Sequence, residues 1–268
     1  MQDPRAISAA LEARSDGLTA RKRARQVQPF RGLRGVALSD VTAILVESWR
    51  KSKPALPRDE EVLRDLFMTA FEDGLVAIGL LATLAAESPA DVLDVAEDLL
   101  ALTDDTETAD ALGWLVLGPA LLAAQEPLGE AVLGYKDAPP HRRRAAVMAL
   151  LAALPVSIEG AAAAALRERY NTKRVQFVEA PLGDEVAAAL PAYLRDEAPQ
   201  VRKAVARVLR EWGAAEPDRV EALVEGFPGG LSKQLRGEAE RGIRKGRRPK
   251  KPRHVPEVDP LDPHFDDV

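Results

Sequence analysis

The chain has 268 residues, with 37 Lys plus Arg against 42 Asp plus Glu for a net charge of −5, three His and no Cys. Without thiols there is no disulfide framework, Cys-ligated zinc, iron–sulfur cluster or thiol nucleophile, and His141, His254 and His264 are too scattered to suggest a metal site, so no metal or other cofactor is expected. Hydrophobic residues make up 46% but aromatics only 4%, a palette of Ala, Leu and Val that suits helices better than sheets and predicts an all-α protein.

The opening MQDPRAISAALEARSD carries charges where a secretory signal needs an apolar run, so the expected location is cytoplasmic. A first helix is predicted over about 3–13. Arg21, Lys22, Arg23, Arg25, Arg31 and Arg34 follow with no acid among them, and read as a solvated charge run or a non-specific nucleic-acid contact. Apolar period and Pro, Gly and cap signals then predict helices over about 38–51, 59–72, 75–86, 90–102, 106–123, 128–134, 140–154, 158–169, 184–197, 199–212, 217–225 and 231–245. Residues 65–135 contain no Lys or Arg at all, and the nearly uncharged run 111–125 is too short to span a bilayer and holds Pro119. No membrane partner is expected.

Two short helices per roughly 35–45 residues are the spacing of a helical solenoid, in which each pair buries its apolar face by stacking on its neighbours. The clearest unit is APQVRKAVARVLREWGAAEPDRVEALVEGFPG, where Val201, Val205, Val208 and Leu209 share one face and Arg202, Lys203, Arg207 and Arg210 lie on a polar side. Arg142, Arg143 and Arg144 open the helix at 140, the end whose dipole favours anions, which invites an anionic partner. Beyond residue 245 the chain is Pro-rich and charge-blocked, basic to Arg253 and acidic from Glu257, and is expected to be a disordered tail. The expected organisation is an N-terminal helix and basic segment (1–30), a repeat region (31–245) and the tail (246–268).

Four segments in order, RGLRGVALSDVTAI, DTETADALGWLVLGP, RRRAAVMALLAAL and VRKAVARVLREWGAAEPDRVEALV, resemble the opening helix, catalytic helix, arginine-led central helix and late repeat of the HEAT-like-repeat DNA alkylation repair glycosylases, the AlkD-like family. The resemblance runs from about residue 31 to 245. It implies a right-handed solenoid of HEAT-like repeats whose basic concave face holds duplex DNA by its phosphates. It also implies an aspartate that assists hydrolysis of the N-glycosidic bond of cationic alkylpurines, and two tryptophans that contact the lesion-bearing nucleotide. By that likeness Asp110 takes the place of the catalytic aspartate and Arg143 or Arg144 that of the central-helix arginine. The two tryptophan positions fall on Thr106 and Arg207. Trp114 and Trp212 read as core residues.

Arg143, Arg144, Arg202, Lys203, Arg207 and Arg210 form a candidate phosphate track on comparable helices, while the acidic block around Asp110 repels phosphate. The scarcity of aromatics favours duplex over single-stranded DNA. Three readings follow. The first is a protein that binds damaged or distorted duplex DNA with weak or no base excision. The second is an active 3- or 7-alkylpurine glycosylase using Asp110, and the third a solenoid scaffold for a protein partner.

Overall fold

The computed structural model describes residues 1–248 apart from 26, 28, 159, 160 and 171, so the expected tail lies, from 249 on, outside the described residues. Every regular element among them is helical. Helices α1 (Pro4–Glu12) and α2 (Gly17–Ala24) lead through an irregular segment to α3 (Leu38–Lys51), α4 (Glu60–Thr69), α5 (Phe71–Ala82) and α6 (Pro89–Ala101). Helix α7 (Thr106–Ala111) runs on through a π-helical turn (Leu112–Leu117) into α8 (Gly118–Ala123). Then come α9 (Leu128–Leu133), α10 (Pro140–Ala149) with a 3₁₀ extension (Leu150–Ala153), α11 (Ala161–Tyr170), and α12 (Gly183–Ala189) with a second 3₁₀ extension (Leu190–Tyr193). The last three are α13 (Pro199–Ala215), α14 (Pro217–Gly226) and α15 (Lys233–Gly246).

Local chemistry sets most of these starts. Asp16 caps α2 by accepting the Thr19 N–H at 2.7 Å, and Asp105 caps α7 by accepting that of Thr108 at 2.7 Å. Proline stands in the first turn of α1, α6, α10, α13 and α14, where its missing N–H costs nothing. Two expectations are corrected. The basic run at 17–24 is a helix, concealed in the sequence by its charge. The break between the third and fourth predicted helices falls at Ala70, which is extended (φ −155°, ψ 171°), and not beside Gly74. Gly74 lies inside α5, where a side chain would crowd the Arg31 guanidinium.

Close helix approaches position the candidate site. A Cβ at Gly113 would strike the Ala145 carbonyl and one at Gly118 the Ala149 carbonyl, so α7 to α8 runs parallel to α10 with its backbone pressed against it. Gly242 meets the Arg210 carbonyl and Gly246 that of Ala214, which sets α15 parallel to α13. Arg144 Nη1 donates to the Gln200 carbonyl, joining the middle of α10 to the first turn of α13. The N-terminal ends of α7, α10, α13 and α15 therefore lie on one side. Packing is not purely between successive helices, because α11 returns onto α3 and α5, with Arg50 held to Glu168 at 2.9 Å. No helix among the described residues is long and apolar enough to cross a membrane.

Candidate functional site

Asp110 sits in the last turn of α7, and Arg144 in the middle of α10 faces it. Arg144 Nε donates to Asp110 Oδ1 at 2.6 Å and Nη2 to Oδ2 at 2.7 Å, a bidentate pair with side chains 21% and 10% exposed for Asp110 and Arg144. Burial pushes the Asp110 carboxyl above the ordinary carboxylate range, against the downward pull of the Arg144 hydrogen bonds and charge. Arg143 and Arg144 are adjacent in sequence and so about 100° apart on the helix, and only one of them can meet α7. Arg143 turns to α12–α13 instead, donating to Asp196 at 2.8 and 3.0 Å and to the Ala138 carbonyl at 2.7 Å, and the Asp196 carboxylate raises its pKa.

One turn beyond Asp110 the helix widens. The π-helical turn at 112–117 follows from Gly113, which lets the backbone approach α10, and from Pro119, whose ring would collide with the carbonyl four residues back in a regular α-helix. Trp114 lies in this turn, nearly buried, with its Nε1 unpartnered. The Arg207 guanidinium stacks over its ring, 4.7 Å from the centroid. Core packing thus accounts for only part of Trp114. Trp212 conforms better to that expectation: it is buried and donates Nε1–H to Glu216 at 2.9 Å. Burial lowers the pKa of Arg207, with Asp110 and Glu211 opposing that shift through their charge. Trp114 and Arg207 line a cavity of ≈ 380 Å³ whose wall also carries Ser157, Arg174, Arg210 and Lys245.

Of the remaining members of the expected track, Arg210 shares that cavity wall with Arg207, whereas Arg202 and Lys203 do not line it. Arg202 donates to the Glu197 carbonyl at 3.0 Å and Lys203 is exposed. Arg210 pairs with Glu211 at 3.1 Å and lies 3.7 Å from Glu238. Thr106 is half-buried in the first turn of α7, one turn before Asp110. Arg174 and Lys245 escaped the sequence reading as partners of Arg207. Lys245 carried a signal, since it belongs to the basic run from Arg241, whereas Arg174 stands in a loop without pattern.

The N-terminal basic run needs a larger correction. It is not a free charge run: three of its arginines are bound to the acidic block. Arg31 is buried and donates to the Phe67 carbonyl at 2.6 Å, Thr108 Oγ1 at 3.1 Å and Asp105 at 3.2 Å. Arg34 holds Asp73 at 2.6 Å, and Arg23 lies 3.6 Å from Glu72. Glu72 also accepts the backbone N–H of Arg34, Gly35 and Val36 at 3.0, 2.9 and 3.2 Å. Glu72 and Asp73 are fully buried in α5, so they need cations from elsewhere in the chain. Arg21, Lys22 and Arg25 remain exposed.

Fold and site together define an all-helical protein in which stacked helices bring a desolvated carboxylate–guanidinium pair next to an arginine-lined cavity. The family model described as DNA alkylation repair enzyme matches residues 7–241, and the chain belongs to that family. Its function is accordingly one related to DNA repair. No curated protein matches the chain.

Proposed function

We propose that this protein binds damaged or distorted duplex DNA and has weak or no base-excision activity. Family membership supports the DNA-repair context, and the parallel packing of α7–α8 on α10 and of α13 on α15 supports a right-handed solenoid of HEAT-like repeats. The first turns of α10, α13 and α15 contain no acid and lie on one side, presenting Arg202 and Lys203 with the helix dipoles toward a phosphate backbone.

The observation that carries the weak-excision reading is the bidentate grip of Arg144 on Asp110. Hydrolysis of a cationic alkylpurine's N-glycosidic bond needs a carboxylate to stabilise the developing oxocarbenium. An arginine on both oxygens cancels much of that field, and Arg207 adds a second cation nearby. Active excision is the second reading, favoured by the partial exposure of Asp110 at the edge of the pair.

Binding to an alkylated duplex over a salt series, with 7-methylguanine and 3-methyladenine release measured alongside, tests both. Steeply salt-dependent binding with little release is expected. Release abolished by Asp110→Asn would establish the active enzyme instead. Absence of binding at low salt would leave the scaffold for a protein partner.

A further inference from the structure

The cavity beside the Asp110–Arg144 pair has a chemistry of its own. Its wall combines the guanidinium of Arg207 with Arg174, Arg210 and Lys245 against a single acid, Glu211. That acid is already engaged, by Arg210 at 3.1 Å and by Lys245 at 3.3 Å. Arg174 Nε reaches Ser157 Oγ and no carboxylate among the described residues. Arg207 likewise makes no hydrogen bond or ion pair to a carboxylate among them, although Arg143 and Arg144 both do. Lying over the Trp114 ring, its guanidinium has N–H donors that no carboxylate takes up among the described residues, and a guanidinium fork suits bidentate recognition of a tetrahedral anion. A partly buried guanidinium with no carboxylate bonded to it is under-compensated by the more distant charges of Asp110 and Glu211, and an anion in the cavity would supply that bond.

We propose that this cavity is a receptor for one phosphate group, with Arg207 as its principal donor and Trp114 as the platform that orients it. The phosphate belongs either to a DNA strand or to a free nucleotide. The Trp114 face is already covered by Arg207, so the site recognises the phosphate and not a base. This inference rests on the proposed function only where the phosphate is that of a DNA strand; otherwise it stands on the cavity.

The full-length protein titrated with inorganic phosphate, deoxynucleoside 5′-monophosphate, the corresponding nucleoside and acetate, at constant ionic strength and followed by tryptophan fluorescence and calorimetry, tests it. Saturable binding of the first two and not the last two is expected. Arg207→Gln should weaken it about tenfold or more, the loss of a charge-assisted bidentate contact. Lys245→Gln, at a side chain 64% exposed and so safe for folding, should weaken it about two- to threefold, the effect of one exposed charge. Equal responses to every anion, or phosphate binding indifferent to both substitutions, would overturn the site. Competition between phosphate and duplex assigns the group to a DNA strand, and phosphate binding without competition assigns it to a free nucleotide. Duplex binding with no phosphate binding removes this proposal and leaves the damaged-DNA reading in place, whereas phosphate binding without duplex binding does the reverse.

Discussion

Glu107 and Asp110 stand three residues apart on α7, so they share a helix face, yet their surroundings differ. Asp110 has an arginine on both oxygens, whereas Glu107 makes no hydrogen bond or ion pair among the described residues. Burial pushes the Glu107 carboxyl upward, opposed by the charge of Arg23 and reinforced by Asp105, Asp110 and Glu72. A carboxyl whose folded pKa lies above its unfolded value stabilises the fold when protonated. That contribution is fully present below the unfolded pKa and is lost as pH rises through the folded one. Glu107→Gln should therefore raise stability at neutral pH and flatten the fall of the unfolding midpoint as pH rises through the folded pKa. A midpoint that drops at neutral pH would show that the carboxylate has a partner it needs. Asp110→Asn should lower stability at neutral pH even though burial raises the Asp110 pKa as well, because an amide cannot accept both Arg144 bonds. The change strands Arg144 without its counter-charge, at a cost of about 2–3 kcal/mol in denaturant unfolding, somewhat below the usual cost of breaking a buried pair because Asp110 is partly exposed. Pairing it with Arg144→Met should recover most of that loss, since replacing both partners leaves no stranded charge. The sequence likeness left Arg143 and Arg144 as equals. Helix phase says that only one can face α7, but choosing between them requires the position of α10 against α7, which depends on contacts made by other residues.

At the scale of elements, the glycines of the α7–α8 helix carry more information than its apolar pattern. Gly113→Ala would drive a methyl into the Ala145 carbonyl and separate the helices that bear Asp110 and Arg144. We expect it to cost about 2–3 kcal/mol, at the upper end for overpacking because backbone cannot move aside as a side chain can. Gly237→Ala in α15 meets nothing within 4 Å and should stabilise by about 0.5–1 kcal/mol through helix propensity alone. Equal thermal shifts in the two variants would refute the close approach. Apolar period and proline punctuation were enough to read the run 106–123 as one helix, and the structure shows it continuous. The widened turn within it was not legible, because it depends on a neighbouring backbone. Helix α2 was missed for a related reason. Its residues GLTARKRA have no apolar stripe, and what holds it is a cap at Asp16 and the approach of Arg23 to Glu72, a contact 49 residues away in sequence.

Across the whole molecule, a net charge of −5 is spent unevenly. Glu72, Asp73 and Asp105 are buried and consume Arg23, Arg31 and Arg34, so much of the N-terminal basic run contributes to stability and offers little to an external polyanion. The sequence displayed both charge blocks, but pairing across 39 to 74 residues is a property of the fold. On the proposed DNA-binding reading, the cations left for phosphate are the exposed Lys203 and the half-buried Arg202, and phosphate contacts release counterions. Each such contact adds about one to the slope of log affinity against log salt. The double variant Arg202→Gln, Lys203→Gln should accordingly reduce that slope by about two and leave the unfolding midpoint unchanged. Arg34→Gln should behave in the reverse manner. It leaves the fully buried Asp73 without its guanidinium, which costs about 3 kcal/mol or more in unfolding, while the salt slope of the folded fraction stays as it was. A common slope change in both variants would mean that the N-terminal arginines reach DNA directly. A changed slope in neither would move the duplex away from the α13 end and toward another face of the molecule.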